Sequence, residues 1–470
     1  MMGISALGTG SSILTQDLLD KLRDADEASQ IKPLEFSLAD NKDKAAEFDV
    51  IDANMTNLYD AIGELKTPAL FDERTTSVSG SSVEITADAN SDVQDFTLDV
   101  TQLATKEVDE SGAYGATTDK IASAAGTFTL NVGSDSFAID YDENTSLDNL
   151  KKLINDSDAG DSVTASIVKI GDSDYRLFLT AVNTGDLKGD NNPDGTDDTP
   201  DISIDDTADG NLLGTQLTDD MTSAQTGVDA NFTYNGQAIV RSSNEIDDLI
   251  TGYDITLKEV GKSEVSVAQN RDNITAKIDS FIEKYNATMD EIERATKNSI
   301  DSSERGIFAG ESTFKAMQRD LRGMMDKVGE GVGTLYDFGF DIDKSGKLSI
   351  DKTMFNDQMD KNSANVEAFF SGGDYTNSDG SVTAVSGVFT EMSENVYDYT
   401  KFNGMLDNYD TYLSDNTSSL EESKTKATER LDAKYETMKQ QYAAYDAMIA
   451  SFKNASAAFT QMQDSSNDNN

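Results

Sequence analysis

Asp190, Asn192, Asp194, Gly195, Thr196, Asp198 and Asp201 fall at the ligand and turn positions of a twelve-residue EF-hand calcium loop. Hard carboxylate and carboxamide oxygens around a glycine turn suit calcium, although Asp201 stands where a bidentate Glu is usual. Against this reading, Pro193 sits inside the loop and no clear helices flank it. A chain with 87 acidic side chains also produces such strings by chance, so a solvated loop accounts for the same residues. A second string, Asp341, Asp343, Ser345 and Gly346, places Lys352 at the last ligand position, and an ammonium cannot bind a cation. Here a turn is expected, with Gly346 supplying the positive-φ corner between strand pieces Phe338–Ile342 and Lys347–Ile350.

Nucleophilic chemistry has less to work with. The chain contains no Cys and no His, which excludes thiolate nucleophiles, Ser-His relays and imidazole or thiolate metal sites. Ser312-Thr313-Phe314-Lys315 fits the S-x-x-K pattern of penicillin-recognising enzymes, and Ser414-Asp415-Asn416 supplies an S-D-N. The K-T-G element is missing, and Ser414 lies at the edge of an amphipathic helical region that offers no pocket to tune a lysine. Paired carboxylates carry no acid–base signal among so many acids. Neither an enzyme nor a cofactor is expected.

The apolar side chains are arranged with more regularity. Leu431, Tyr435, Met438, Tyr442, Tyr445, Ile449 and Phe452 alternate in steps of four and three, lapse at Ser456 and resume at Phe459. No Gly or Pro interrupts residues 405–470, and Leu431 to Phe459 would form a helix of roughly 40 Å that needs a partner along its length. Phe48, Ile51, Met55, Leu58, Ile62 and Leu65 form a matching seam near the other terminus, which Pro68 closes. Together with Ile13, Leu14, Leu18, Leu19 and Leu22, these stripes predict terminal helices that pair and bring the chain ends together.

Between the seams the period changes to two. Phe96, Leu98 and Val100, then Phe128, Leu130 and Val132, read as strands, the latter joined through a four-residue turn, Gly133 to Ser136, to Phe137, Ile139 and Tyr141. Ser146 is placed to cap a short helix, and Val163 to Ile167 and Tyr175 to Leu179 return to strand spacing. Asn235-Gly236 predicts a type I′ hairpin turn, followed by a helix over 244–250 and a strand over 255–260. Ile274, Ile278, Phe281, Ile282, Tyr285, Met289 and Ile292 restore a helical face. The expected fold class is α+β multidomain, with paired N- and C-terminal helices and β-rich head domains inserted between them. Its parts would be terminal leg helices (1–40 and 431–470), a helical stalk with a small β-hairpin (41–75 and 271–430), an inner head domain (76–115 and 222–270) and an outer one (116–221).

Composition narrows the partners. Thirty-eight basic against 87 acidic side chains leave a net charge of −49, which repels phosphate backbones and anionic lipid, so no nucleic acid is expected. Apolar residues make up 37% and never run long enough to span a bilayer, so no membrane insertion is expected either. The string from Met1 to Ser5 shows no basic region leading into an apolar one, so a route other than Sec is expected if the chain is exported. The absence of Cys fits a chain that travels unfolded to an oxidising exterior.

Particular strings then point to a family. GTFTLNV from Gly126, SLDNLKKLIN from Ser146, VTASIV from Val163 and YRLFLTAVNTGD ending at Asp186 resemble the hook-IN motif of flagellar axial proteins. FTYNGQAIVRSSNEIDDLITGYDITL, Phe232 to Leu257, resembles the C-terminal region of the filament cap family, hook-associated protein 2. GISALGTGSSILTQDLLDKL from Gly3, FIEKYN from Phe281 and LYDFGFDIDKSGKLSID from Leu335 support the same resemblance in the right order. It implies a homo-oligomeric cap of roughly four to six subunits at the filament tip, with a plate of head domains and legs reaching into the filament. Such a cap is not an enzyme: it retains flagellin subunits, shelters their folding and prevents their leakage, so it is required for filament elongation and motility. The resemblance also implies hook-filament junction proteins as neighbours, secretion through the flagellar type III export apparatus, a cytosolic export chaperone and an extracellular location. The alternatives are another axial component, a junction protein or flagellin-like chain, and a surface adhesin acting through residues 76–270.

Overall fold

A computed structural model describes residues 10, 15–188, 201–325 and 331–467. The chain opens with helices α1 (Gln16–Gln30), α2 (Lys32–Leu65) and the short α3 (Ala69–Asp72). Strands follow: β1 (Arg74–Ser79), β2 (Val83–Ala87), β3 (Gln94–Gln102), β4 (Val108–Glu110), β5 (Gly126–Val132) and β6 (Asp135–Tyr141). Helix α4 (Leu147–Asp156) leads to β7 (Val163–Gly171), β8 (Asp174–Ala181) and β9 (Ile202–Asp205), and α5 (Thr215–Thr218) to β10 (Thr222–Gln225). Then come β11 (Ala230–Tyr234), β12 (Gln237–Arg241), β13 (Glu245–Ile246), β14 (Tyr253–Leu257) and β15 (Gly261–Gln269). The chain returns to helix with α6 (Arg271–Thr296) and α7 (Ser312–Met325), a hairpin β16 (Phe340–Ile342) and β17 (Leu348–Ile350), and α8 (Lys352–Ser371). A second hairpin, β18 (Gly373–Thr376) and β19 (Val382–Val385), precedes α9 (Val388–Thr400) and α10 (Met405–Asn467). Long terminal helices therefore flank antiparallel sheets. The chain divides into two compact units, one built from its two ends, Met1–Pro68 with Asp272–Asn470, and one from Ala69–Arg271.

In the unit built from the ends, all six members of the 48–65 stripe are buried. At about 2 kcal/mol per fully buried large side chain, they stabilise α2 by an upper bound on the order of 10 kcal/mol before chain entropy. Pro33 is accommodated in the first turn of α2, where its missing N–H costs nothing, and the helix ends before Pro68. Phe48 meets Phe314 and Tyr409 with ring centroids 6.4 and 5.4 Å apart. Phe281, Phe340, Phe355, Phe370 and Phe389 continue an aromatic core between α6, α8 and α9. The turn between β16 and β17 forms as the sequence indicates: Gly346 has φ +84°, and Asp343 Oδ1 accepts from the backbone N–H of Ser345 and Lys347.

The unit of residues 69–271 holds two cores. One gathers Phe96, Leu98, Val100, Phe232, Ile255 and Val265 beneath a five-stranded sheet in the order β1-β15-β3-β11-β12 and a three-stranded sheet β13-β14-β2. The other gathers Phe128, Leu130, Leu147, Leu150, Leu177 and Leu179 between the sheets β10-β4-β8-β7 and β6-β5-β9. Ser146 caps α4 by accepting from Asn149 N–H, and Asn235 (φ +48°) and Gly236 (φ +82°) make the primed turn of the β11–β12 hairpin.

Three expectations need correction. Val132 pairs with Asp135, so Gly133 (φ +58°) and Ser134 form a two-residue turn in place of four. No helix forms over 244–250, because Glu245 and Ile246 pair with Thr256 and Ile255 as a strand. The Asn244 carboxamide, which a helix would have used as a cap, instead bonds both the N–H and the C=O of Ala104 at 2.8 Å. The expected 255–260 strand begins earlier, at Tyr253, and ends at Leu257, with a separate strand starting at Gly261.

The same carboxamide device recurs. Asn155 brackets Ala165 of β7, Asn286 brackets Leu348 of β17 and Asn365 brackets Thr376 of β18, each accepting from the N–H at 2.8 Å and donating to the C=O at 2.7 to 2.9 Å. Each stands on the open side of an edge strand, where an amide side chain satisfies backbone groups that a neighbouring strand would otherwise take.

Candidate functional site

The terminal helices meet in an antiparallel seam. Thr15 starts α1, its hydroxyl accepting from Leu18 N–H at 3.3 Å. Leu19 and Ile31 then pack with Ala427, Leu431 and Tyr435, flanked by half-buried Leu34, Met438 and Tyr442. Charged pairs line the edges: Arg23 with Asp432 at 2.5 Å, Asp26 with Lys434 at 2.6 Å, Glu35 with Lys424 at 2.8 Å and Lys42 with Glu421 at 3.2 Å. From residues 23–26 with 432–434 to residues 35 and 42 with 424 and 421, the partners run in opposite directions, so the pairs fix direction and register more than they add stability. The Lys434 ammonium, then the Tyr435 hydroxyl, hold the Asp26 carboxyl below its usual range. Burial, then Asp26, push the Tyr435 phenol up to about 12.

Two polar contacts on this seam have no signal in the hydrophobic pattern. Asn41, 3% exposed, donates to the Leu413 carbonyl at 2.9 Å and the Thr417 hydroxyl at 2.7 Å, and accepts from Asn416 at 2.8 Å. A buried, fully bonded amide pins the register of α2 against α10. It also occupies Asn416, the last member of the S-D-N string. Farther along, Asp446 is 2% exposed and accepts from Gly10 N–H at 2.8 Å. A Cβ at Gly10 would lie 1.9 Å from the Asp446 carbonyl oxygen, so only glycine permits this crossing. The sequence signal for it was the glycine string near residue 10, which the apolar spacing could not connect to an acid 436 residues away.

The predicted seam residues thus divide into groups. Leu19, Leu431 and Tyr435 are brought together and buried, Leu18, Met438, Tyr442 and Ile449 are half-buried, and Leu22 remains 38% exposed. Ile13 and Leu14 lie outside the described residues. Tyr445, Phe452 and Phe459 are exposed, and Met448 and Met462, which the sequence reading missed, extend the same stripe. From Ser451 to Gln463 every residue of α10 is exposed. Of the calcium-loop candidates, Asp190, Asn192, Asp194, Thr196 and Asp198 lie outside the described residues. Asp201 is bound to Lys188 at 2.8 Å. Among the described residues no cluster of acidic side chains is arranged to hold a metal, and no helix is long and apolar enough to cross a membrane.

Fold and seam together define a modular assembly subunit, in which antiparallel terminal helices carry an apolar stripe past their own pairing and a β-rich unit is inserted between them. Models of the flagellar hook-associated protein 2 N-terminus and C-terminus match residues 11–107 and 227–454, and the flagellin hook IN motif matches 127–183. The chain belongs to the flagellar hook-associated protein 2 family. Its reading as a different axial component, a junction protein or a flagellin-like chain, is not favoured, because the cap-family models match both ends of the chain.

Relatives named flagellar hook-associated protein 2 include one from Escherichia coli K12, 26% identical over 98% of each chain, and one from Aeromonas caviae, 22% identical over 99% of each. A Campylobacter jejuni relative is 26% identical over 78% of this chain and 64% of its own length. The D1-D2-D3 domains of the flagellar cap protein from Escherichia coli superpose with a TM-score of 0.56 at 24% identity, covering 78% of this chain and 99% of that one, a likeness of fold.

Proposed function

We propose that this chain caps the distal end of the bacterial flagellar filament as a homo-oligomer, promoting the folding and insertion of exported flagellin and preventing its leakage. The observation that carries the reading is the apolar stripe of α10, Tyr445 to Met462, which stays exposed beyond the α1–α10 pair on a chain whose two ends both match the cap family. A stripe of aromatic and methionine side chains is adaptable and suits a leg that docks, releases and docks again on the growing filament. The protein works as a structural subunit and not as an enzyme, outside the cell at the filament tip. It reaches that place through the flagellar type III export apparatus, escorted by a cytosolic chaperone and standing beyond the hook-filament junction proteins. The leg, stalk, inner and outer parts laid out from the sequence are proposed as its working domains.

Deleting the gene tests this reading. Bare hooks in electron micrographs and monomeric flagellin in the medium are the expected result, and intact filaments of normal length would refute it.

A further inference from the structure

The two β cores of residues 69–271 are joined where the chain passes from β3 to β4 and returns from β10 to β11. Thr105 N–H donates to the Val228 carbonyl at 3.0 Å, Gly185 N–H to the Thr105 carbonyl at 2.9 Å and Ala181 N–H to the Glu107 carbonyl at 2.9 Å. A Cβ at Gly227 would lie 2.6 Å from the Gly185 carbonyl oxygen, so the two connecting segments approach too closely there for any other residue. Glu107 and Asp109, two residues apart on one face of the chain, point into this joint and are 2% and 0% exposed.

Their partners are neutral. Glu107 Oε1 accepts from the Ser223 hydroxyl at 2.9 Å and Oε2 from Gly227 N–H at 2.5 Å. Asp109 Oδ2 accepts from Ile202 N–H at 3.0 Å, and Asp109 Oδ1 has no donor. From β8 the buried Leu177, Leu179 and Ala181 pack nearby, and β10 contributes Ser223. On the β9 side stands Asp201, a third acid, which itself engages Lys188 at 2.8 Å. Two buried carboxylates surrounded by amides, a hydroxyl and another acid cannot both carry charge.

We propose that Glu107 and Asp109 share one proton in the folded protein, and that this proton latches the joint between the two β cores, which is tightest in acid and loosens as pH rises through neutrality into alkali. The bare Oδ1 of Asp109, buried and without a donor, is where that proton belongs. Burial, then the charge of Glu107, push the Asp109 carboxyl up to about 8. The sign follows from linkage. A carboxyl whose folded value is raised gives stability that is complete below the ordinary carboxylate range and is lost as pH rises through the folded value. Releasing the proton leaves two like charges side by side on the segment that the Ser223 and Gly227 hydrogen bonds tie to residues 223–227.

Hydrogen exchange of the full chain, corrected for the intrinsic pH dependence, tests the latch. Peptides covering residues 103–110 and 222–230 should lose protection by about tenfold or more between roughly pH 6 and 9.5, while the Phe128–Leu179 core stays protected. Asp109→Asn, nearly isosteric and neutral, should remove that pH dependence, and Glu107→Gln should do the same. Protection in the wild type that does not change across this range, or an unchanged pH profile in both variants, overturns the proposal. Carboxyl carbon NMR of the wild type gives a reading that requires no variant to fold. One carboxyl of the pair should titrate near or above neutrality, and two carboxyls both ionised below about pH 5 would refute the shared proton.

Discussion

Replacing both Phe452 and Phe459 with Ala separates folding from assembly. The two rings are 70% and 75% exposed. Truncating them should therefore change the stability of the isolated chain by no more than about 0.5 kcal/mol, the usual range for surface positions. If a filament partner covers them, the cost appears only on docking. Full burial of a phenylalanine is worth about 2.5 kcal/mol, so the exposed fractions leave roughly 1.8 kcal/mol each and about 3.5 kcal/mol together. At 1.4 kcal/mol per decade, the double variant should dock some 300-fold more weakly. The assay is complementation of a deletion strain, scoring filament length by electron microscopy and monomeric flagellin in the medium, beside a thermal melt of the purified chain. Short or absent filaments with an unchanged melting temperature are expected. Wild-type filaments would refute the reasoning, because they would show that the stripe is not covered during assembly. A lowered melting temperature would place the two rings inside the fold, contrary to their exposure.

Other perturbations probe the seam and the sheet edges. Leu431→Ala removes a buried contact of α1, whose own deeply buried side chain is Leu19. It should expose α1 amides to hydrogen exchange by about 100-fold, equivalent to about 3 kcal/mol, and leave the Phe128 core unaffected. Acidification should release the same helix. Asp26 is held below its usual range by Lys434 and Tyr435, so its contribution is present above the ordinary carboxylate value and lost as pH falls through the lower folded one. Protection of α1 should fall in that acid window in the wild type but not in Asp26→Asn. Asn286→Asp keeps the size of the side chain but removes the donor to the Leu348 carbonyl, and should destabilise the β16–β17 hairpin by roughly 1–3 kcal/mol, measured by urea unfolding.

Legibility differed by element. The 48–65 stripe was readable because its apolar side chains all point at one core and the 3-4 spacing is continuous. The 431–459 stripe was equally regular, but periodicity reports which side of a helix is apolar, not how much of that side is covered. It begins buried against α1 at Leu431 and Tyr435, is half-buried at Met438 and Tyr442, and ends exposed at Phe452 and Phe459. Residues 244–250 looked helical because Asn244 resembles a cap, yet the carboxamide is drawn to Ala104, 140 residues earlier. Asp446, Asn41, Glu107 and Asp109 were invisible for a related reason. A polar residue carries no hydrophobic period, and among 87 acids nothing local marks the few that fold inward.

By itself, the sequence determined the terminal helices, the positions of most strands, the primed turn at Asn235-Gly236, the absence of imidazole and thiolate chemistry, and the family. These depend on residue type and spacing within a few turns or one strand pair. Tertiary structure alone decided that Asp446 clasps Gly10, that asparagine side chains close three strand edges, that two buried acids meet at the joint between the β cores, and that α10 keeps its outer stripe uncovered. Each of these depends on groups distant in the chain arriving at one place, where burial and the demand for hydrogen-bond partners determine what a side chain does.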